Sequence, residues 1–284
     1  MDCAKATGAR IARPKKELAK LAGLLRVHWK LPTIIAIPTT AGTGSETTLA
    51  AVITDSETRH KYTMNDFALI PPYAVLDSKI TQSLPTHIAA TTGMDALTHA
   101  VEAYIGGTTC KKSREDAETA VKLIFENIEK AAIEKDIKAQ KEMLIAAHRA
   151  GRAFSKSYVG YIHAVSHSLS GKYDMPHGLT NAIILPIVLE KYGNTVYKKL
   201  AKLAECANIS CNKYSDEILA KKFIEAIKDL NKKLGIPEKI SGINEQDITE
   251  MAKYANKEAN PLYPVPILWD AKELEQIYYD VMER

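Results

Sequence analysis

Residues 160–178 read Gly-Tyr-Ile-His-Ala-Val-Ser-His-Ser-Leu-Ser-Gly-Lys-Tyr-Asp-Met-Pro-His-Gly and place histidines at His163, His167 and His177. Apolar residues recur here at helical spacing, which predicts an amphipathic helix over about 159–170. Its apolar stripe consists of Ile162, Val165 and Leu169. Because His163 and His167 are four residues apart, they share a second face of this helix.

A second helix is predicted to begin beside His177. Asp174 is a typical capping residue and Pro176 a typical first residue of a helix, so His177 is expected in the first turn. There the helix dipole disfavours the imidazolium and favours the neutral imidazole that a metal requires.

Residues 92–104 carry a matching pattern earlier in the chain. They read Thr-Gly-Met-Asp-Ala-Leu-Thr-His-Ala-Val-Glu-Ala-Tyr, so Asp95 and His99 lie one helical turn apart. Glu102 falls on the same side as these two residues, away from the apolar stripe of the predicted helix. The stripe consists of Met94, Leu97, Val101 and Tyr104.

Together the two patterns indicate a metal site. A single histidine on a helix is more often an ordinary surface residue, and Asp-x-x-x-His alone is often an ordinary intrahelical pair, but the joint pattern favours metal binding. Imidazole and carboxylate ligands suit Fe(II), Zn, Co or Ni better than Mg or Ca. Because three or four protein ligands suffice, one of the four patterned histidines is left for catalysis. The remaining histidines fit no pattern: His28, His60, His87 and His148.

The chain changes character near Leu84-Pro85. Before this point short apolar runs alternate with turn residues, which predicts strands at about 32–37, 50–54, 61–64 and 73–76. After it, helical periodicity predicts helices at about 86–105, 112–134, 136–155, 159–170, 177–191, 195–206, 216–234, 245–257 and 270–282. We therefore expect an α/β part over residues 1–84 and an all-α domain over residues 85–284.

Residues 37–46, Ile-Pro-Thr-Thr-Ala-Gly-Thr-Gly-Ser-Glu, form a Gly- and Thr-rich loop after a predicted strand. Backbone N–H groups and hydroxyls in such a loop can bind a phosphate or a nucleotide. An ordinary polar turn is the alternative. The loop fails as a Rossmann fingerprint because Thr47 stands in the place of the third glycine.

The composition is that of a globular protein. Of 284 residues, 46% are hydrophobic and 25% charged, which excludes a disordered or collagen-like chain. The net charge of +4 is spread among acidic residues, so we expect no nucleic-acid partner. We also expect no membrane span and no signal peptide, hence a cytoplasmic protein with four reduced, incidental cysteines.

Residues 37–46, 92–104 and 160–178 together resemble the iron-containing (group III) alcohol dehydrogenases. The resemblance runs over essentially the whole sequence and in the same order. It implies a dehydroquinate-synthase-like fold, in which an N-terminal nucleotide-binding α/β domain precedes a helical domain and the active site lies between them.

Residue by residue, the resemblance implies four metal ligands, namely Asp95, His99, His163 and His177. It implies that His167 is the catalytic-site histidine beside the nicotinamide. Cofactor contacts are implied for Thr39, Thr40, Gly42, Thr43, Thr48 and Lys61.

Members of the family carry a longer N-terminal segment that ends in a Gly-rich pyrophosphate loop. This sequence starts inside the helix that follows that loop. We therefore expect residues 1–84 to be an incomplete nucleotide-binding domain, with metal binding retained and cofactor affinity poor.

The predicted function is hydride transfer between a small alcohol or aldehyde and NAD or NADP, with Fe(II), or alternatively Zn, polarising the substrate oxygen. A homo-oligomer is expected. One alternative is a lyase of the dehydroquinate-synthase type, although residues 86–110 contain no Lys or Arg to grip an anionic sugar. Another is a truncated metal-binding remnant without catalysis.

Overall fold

The computed structural model describes residues 1–28, 30–54, 61–209 and 214–283. Five short strands lie in the first part, and their bounds are β1 Gly23–Leu24, β2 Ile35–Ala36, β3 Ala50–Thr54, β4 Lys61–Asn65 and β5 Tyr73–Ala74. The helices are α1 Asp2–Ala12, α2 Ser78–Thr81, α3 Thr86–Ile105, α4 Lys111–Glu129, α5 Ile137–Ser157, α6 Tyr161–Tyr173, α7 His177–Tyr192, α8 Tyr197–Cys206, α9 Asp216–Lys233, α10 Glu245–Ala259 and α11 Ala271–Val281.

The N-terminal part contains two small sheets. β3 and β4 pair antiparallel with Ala51 opposite Met64, and β1 joins β4 in parallel. β2 and β5 form a separate parallel pair. The strand predicted at 50–54 is confirmed. The strands predicted at 32–37 and 73–76 are shorter than expected: each consists of two residues, Ile35–Ala36 and Tyr73–Ala74, which pair with one another.

Helix α3 is the centre of the helical part. It packs against α4, α5 and α7, so it is buried on nearly every side along its C-terminal two thirds. Small residues allow this close packing, and Ala90, Ala96, Ala100 and Ala103 are fully buried. Both the apolar stripe and the face that bears Asp95 are therefore inside the protein.

The predicted helices are observed with ends that shift by a few residues. Residues 130–134 form a π-helical turn that extends α4. The expectation that Asp174 caps α7 is wrong: Asp174 adopts a left-handed conformation with φ 54° and ends α6. α7 begins at His177 after Pro176 without a side-chain cap.

The Gly-rich loop packs closely on helix α5 at two glycines. Gly44 has a φ of 59°, and a Cβ at this position would lie 2.7 Å from the Cα of Gly151. A Cβ on Gly151 would in turn meet the Thr47 hydroxyl and lie 2.9 Å from the Gly44 carbonyl oxygen. The loop and the helix can approach this closely only because neither glycine has a side chain.

Replacing Gly151 by alanine is expected to destabilise the protein by about 1–3 kcal/mol, because the methyl group forces the loop off the helix. Gly171→Ala is the matched control, since a Cβ there meets no atom within 4 Å and alanine favours a helix by up to about 1 kcal/mol. Urea unfolding of both variants measures the difference. Equal midpoints for the two variants would contradict this account of the loop.

Candidate active site

Asp95, His99 and His163 come together in the helical part, and one ligand atom from each lies within 4.8 Å of the others. The Asp95 Oδ1 atom is 3.8 Å from His99 Nδ1, 3.7 Å from His163 Nε2 and 3.6 Å from His177 Nε2. Ligand atoms arranged tetrahedrally about 2.1 Å from one metal ion lie about 3.4 Å apart. The four side chains that the resemblance implied as ligands thus converge at nearly the spacing of a metal site.

The hydrogen bonds at the centre of this cluster are incomplete. Asn181 Nδ2 lies 2.7 Å from Asp95 Oδ1, 3.1 Å from His177 Nε2 and 3.2 Å from His163 Nε2, so two amide protons face three neighbours. In the described part of the chain, the buried His99 Nδ1 and Asn181 Oδ1 have no hydrogen-bond partner. Buried polar atoms are costly unless satisfied, and a cation bound among them would satisfy this donor set. Three imidazoles and one carboxylate fit a divalent transition metal.

Glu102 fixes the orientation of His163. Its Oε2 lies 2.6 Å from His163 Nδ1, and its Oε1 accepts a hydrogen bond from the backbone N–H of Ile162 at 2.8 Å. A Cβ on Gly160 would lie 2.8 Å from Glu102 Oε1, so the glycine makes room for the carboxylate. With Nδ1 engaged by Glu102, the Nε2 atom of His163 points toward Asp95, an arrangement typical of metal-binding histidines.

His177 and His99 are held in a similar way. Ser166 Oγ lies 3.0 Å from His177 Nδ1, which leaves Nε2 of the ring directed at Asp95. The His99 ring stacks on Phe154, with ring centroids 4.2 Å apart. Packing and hydrogen bonds from α5 and α6 therefore pre-organise both imidazoles.

Burial and charge set the protonation of the cluster. Burial lowers the pKa of His99 to about 3 and that of His177 to about 4, so both rings are neutral near pH 7. Burial would also lower the pKa of His163, but the Glu102 and Asp95 carboxylates together outweigh it and raise this pKa to about 9. Although burial favours the protonated acid, the neighbouring imidazoles hold the pKa of Asp95 well below its usual range. Two neutral imidazoles and an ionised carboxylate are thus ready to act as ligands.

His167 lies beside the cluster and takes part in a different set of contacts. Its ring stacks on that of His177 at 5.0 Å, while its Nδ1 lies 2.6 Å from Glu258 Oε1. The Tyr263 hydroxyl donates to the same oxygen at 2.7 Å. The side chain of His167 is 44% exposed and that of His177 34%, whereas that of Asp95 is only 5% exposed. The cluster therefore opens to solvent on the side of His177 and His167.

The Gly-rich loop lies against the same region of α3. A Cβ on Gly42 would lie 2.7 Å from Thr92 Cβ, and a Cβ on Gly178 would lie 2.5 Å from the Thr91 carbonyl oxygen. The loop and the start of α7 thus pack on adjacent residues of α3, one turn before Asp95. This brings the Gly-rich loop next to the cluster of candidate metal ligands.

The predicted cofactor residues lie in different environments. Thr39 and Thr43 are exposed, Thr40 is half-buried and Gly42 is buried against α3. Thr48 is buried, and its hydroxyl accepts a hydrogen bond from Lys5 Nζ at 3.0 Å. Lys61 begins β4, but its side chain lies outside the described part of the chain, as does all of His60.

Several residues of this site escaped the sequence analysis. The fully buried Lys5 also donates hydrogen bonds to the carbonyl oxygens of Thr48 and Ala50, and these bonds connect α1 to β3. Burial lowers the pKa of Lys5 to about 8. Asn181 stands four residues after His177 on α7, a spacing that could have suggested a shared face. Glu258 is distant in sequence and gave no comparable signal.

Comparison with known proteins identifies the family. Residues 1–78 match the model of the iron-containing alcohol dehydrogenases, and residues 89–282 match that of the C-terminal part of the Fe-containing alcohol dehydrogenase family. The chain belongs to the iron-containing alcohol dehydrogenases. The predicted family, fold class and enzyme class are thereby confirmed, as are the predicted cofactors, iron and NAD(P).

Relatives match over three quarters of the chain or more. The 1,3-propanediol dehydrogenase of Citrobacter freundii is 36% identical over 98% of this chain and 72% of its own length. The NADPH-dependent butanol dehydrogenase of Clostridium saccharobutylicum is 38% identical over 75% of this chain and 55% of its own. The crystal structure of a 1,3-propanediol oxidoreductase superposes with a TM-score of 0.94 at 35% identity, over 99% of this chain and 74% of that protein.

These relatives bear on the alternatives raised by the sequence. The matched proteins named above are alcohol dehydrogenases, so the lyase alternative receives no support. Among the described helices, none combines the length and the hydropathy needed to cross a lipid bilayer.

Proposed function

We propose that this chain transfers a hydride between a short alcohol or its aldehyde and a nicotinamide cofactor, with Asp95, His99, His163 and His177 as the ligands of one divalent transition metal. The observation that carries the proposal is the convergence of three imidazoles on the Asp95 carboxylate beside the Gly-rich loop. A metal bound there supplies Lewis acidity toward a substrate oxygen. Fe(II) is the proposed metal, with Zn as the alternative for the same ligands.

The protein's own groups provide orientation and a route for the proton. Asp95, His99 and His163 are nearly excluded from water, so the substrate approaches from the side of His177 and His167. His167 lies at this opening with Nδ1 hydrogen-bonded to Glu258. This bond leaves Nε2 free to exchange a proton with the substrate hydroxyl or with solvent.

The cofactor is proposed to bind along the Gly-rich loop. Thr39 and Thr43 are exposed and Thr40 is half-buried, and each would offer a hydroxyl and a backbone N–H group to the cofactor. The packing of Gly42 on Thr92 keeps the loop close to the proposed metal ligands, as a short hydride-transfer distance requires. Thr48 and Lys61 are included in the proposed set on the basis of the resemblance.

His167→Ala is expected to lower kcat/KM by about a hundredfold or more, the usual contribution of a general acid or base, while the metal content stays unchanged. The side chain is partly exposed, so its loss should leave the fold intact. Parallel elemental analysis and NAD(P)H formation with short alcohols measure both properties. Loss of metal in step with activity would make His167 a ligand instead.

Titration of this chain with NADH and NADPH, followed by the fluorescence of the reduced nicotinamide, tests the function itself. Saturable binding together with NAD(P)H formation from a primary alcohol supports the dehydrogenase. Metal binding without any cofactor binding would favour the non-catalytic remnant. Comparison of the two cofactors also decides between NAD and NADP.

We further propose a cytoplasmic location and self-association. Cys3, Cys110 and Cys206 are free thiols, as expected in a reducing compartment. Ile35 and Tyr73 on the paired strands β2 and β5 are 60% and 61% exposed, and apolar surface of this kind supports contact between copies of the chain. Light scattering coupled to size-exclusion chromatography measures the oligomeric state.

A further inference from the structure

A carboxylate lies at the solvent-exposed side of the cluster of proposed metal ligands. Glu258 lies near the end of α10, and its side chain is 35% exposed, close to the exposure of its neighbours His167 and His177. The His167 ring contacts both sides, since it stacks at 5.0 Å on the ring of His177 and its Nδ1 lies 2.6 Å from Glu258 Oε1. A substrate that reaches the cluster from solvent therefore passes beside this carboxylate.

The two oxygens of Glu258 have different surroundings. Oε1 receives hydrogen bonds from both His167 and Tyr263, at 2.6 and 2.7 Å, which fixes the side chain in place. Oε2 makes no hydrogen bond with any residue that the structure describes. One oxygen is thus used to hold the carboxylate still, and the other is available to a ligand.

Glu258 forms its ion pair with His167, and no lysine or arginine among the described residues lies within ion-pair distance of its carboxylate. Burial tends to raise the pKa of Glu258, but the hydrogen bond and charge of His167, together with the hydrogen bond from Tyr263, keep it below its ordinary value. The group is therefore ionised near pH 7. A fixed negative charge at a partly desolvated opening repels anions and accepts hydrogen bonds from hydroxyl or ammonium groups.

We propose that Glu258 is a specificity-determining residue that favours alcohols with a second hydroxyl or an amino group and excludes substrates with a carboxylate. Oε2 would accept a hydrogen bond from the second polar group of the substrate while the reacting hydroxyl lies at the proposed metal site. This inference rests on the proposed dehydrogenase function. It adds the substrate class that the opening selects.

Glu258→Gln tests the proposal because it keeps the shape of the side chain and an acceptor for His167 but removes the charge. We expect the ratio of kcat/KM for 1,3-propanediol to that for 3-hydroxypropanoate to fall about tenfold, the effect of one charge a few ångströms away at an intermediate dielectric. Glu250→Gln is the matched control. It lies on the same helix, about 12 Å farther along, and pairs with Lys172 at the surface.

A binding measurement separates this proposal from the proposed function. Isothermal titration of the metal-loaded protein with 3-hydroxypropanoate, without cofactor, should give a Kd about tenfold lower in Glu258→Gln than in the wild type. If neither protein forms NAD(P)H from any alcohol, the dehydrogenase proposal fails while the titration still reports on Glu258. Equal affinities in the two proteins, or no binding to either, would overturn the role of Glu258.

Discussion

His99→Ala should lower the affinity for the divalent metal by at least about a hundredfold, because residues that only support a ligand already contribute 10- to 100-fold. His99 is buried and faces the Asp95 carboxylate, and no described residue satisfies its Nδ1. Without its imidazole the cluster keeps two histidines and one carboxylate. Elemental analysis after dialysis against a weak chelator measures the loss.

His87→Ala is the control for this variant, since His87 is exposed on the same helix and lies outside the cluster. It should retain its metal. Because the His99 ring also packs on Phe154, His177→Ala provides a second test at a less buried position. Full metal occupancy in both His99→Ala and His177→Ala would show that the ligand assignment is wrong.

The second large effect is expected at Glu102, which touches no proposed substrate or cofactor. Glu102→Leu leaves the buried His163 Nδ1 and the N–H of Ile162 without their acceptor. Removing one partner of a buried pair costs about 3–5 kcal/mol, so the midpoint of urea unfolding should fall strongly. The metal affinity should also fall by about 10- to 100-fold, because His163 is no longer oriented.

Glu102→Gln serves as the conservative comparison. Its amide oxygen can still accept from one of the two donors, so we expect it to recover part of the stability and part of the metal affinity. Glu118→Gln is the matched control outside the site, where the carboxylate accepts a bond from the Tyr104 hydroxyl. A Glu102→Leu protein with wild-type stability and metal affinity would refute the supporting role of Glu102.

Much of the helical part could be predicted from periodicity alone. α3, α7 and α9 were placed within about two residues because their apolar spacing is regular and their ends carry proline, glycine or capping residues. Pairing of β2 with β5 could not be read in this way, because it depends on contacts between segments far apart in the chain. The cap expected from Asp174 failed because that residue instead adopts the left-handed conformation that ends α6.

The candidate site, too, could be predicted only in part from the sequence. Asp95, His99 and His163 could be found because their spacing within each helix places them on one face. The partners that orient them come from other elements, as Glu102 does for His163 and Glu258 for His167. Such pairs are set by how the helices pack, which spacing along one helix does not encode.

X-ray absorption at the metal K edge of the purified, metal-loaded protein tests whether four side chains of this chain hold one metal ion. We expect one metal per chain, with nitrogen and oxygen neighbours at about 2.0–2.2 Å and the scattering pattern of three imidazoles. A spectrum with sulfur neighbours, with oxygen neighbours alone, or with far less than one metal per chain would contradict it.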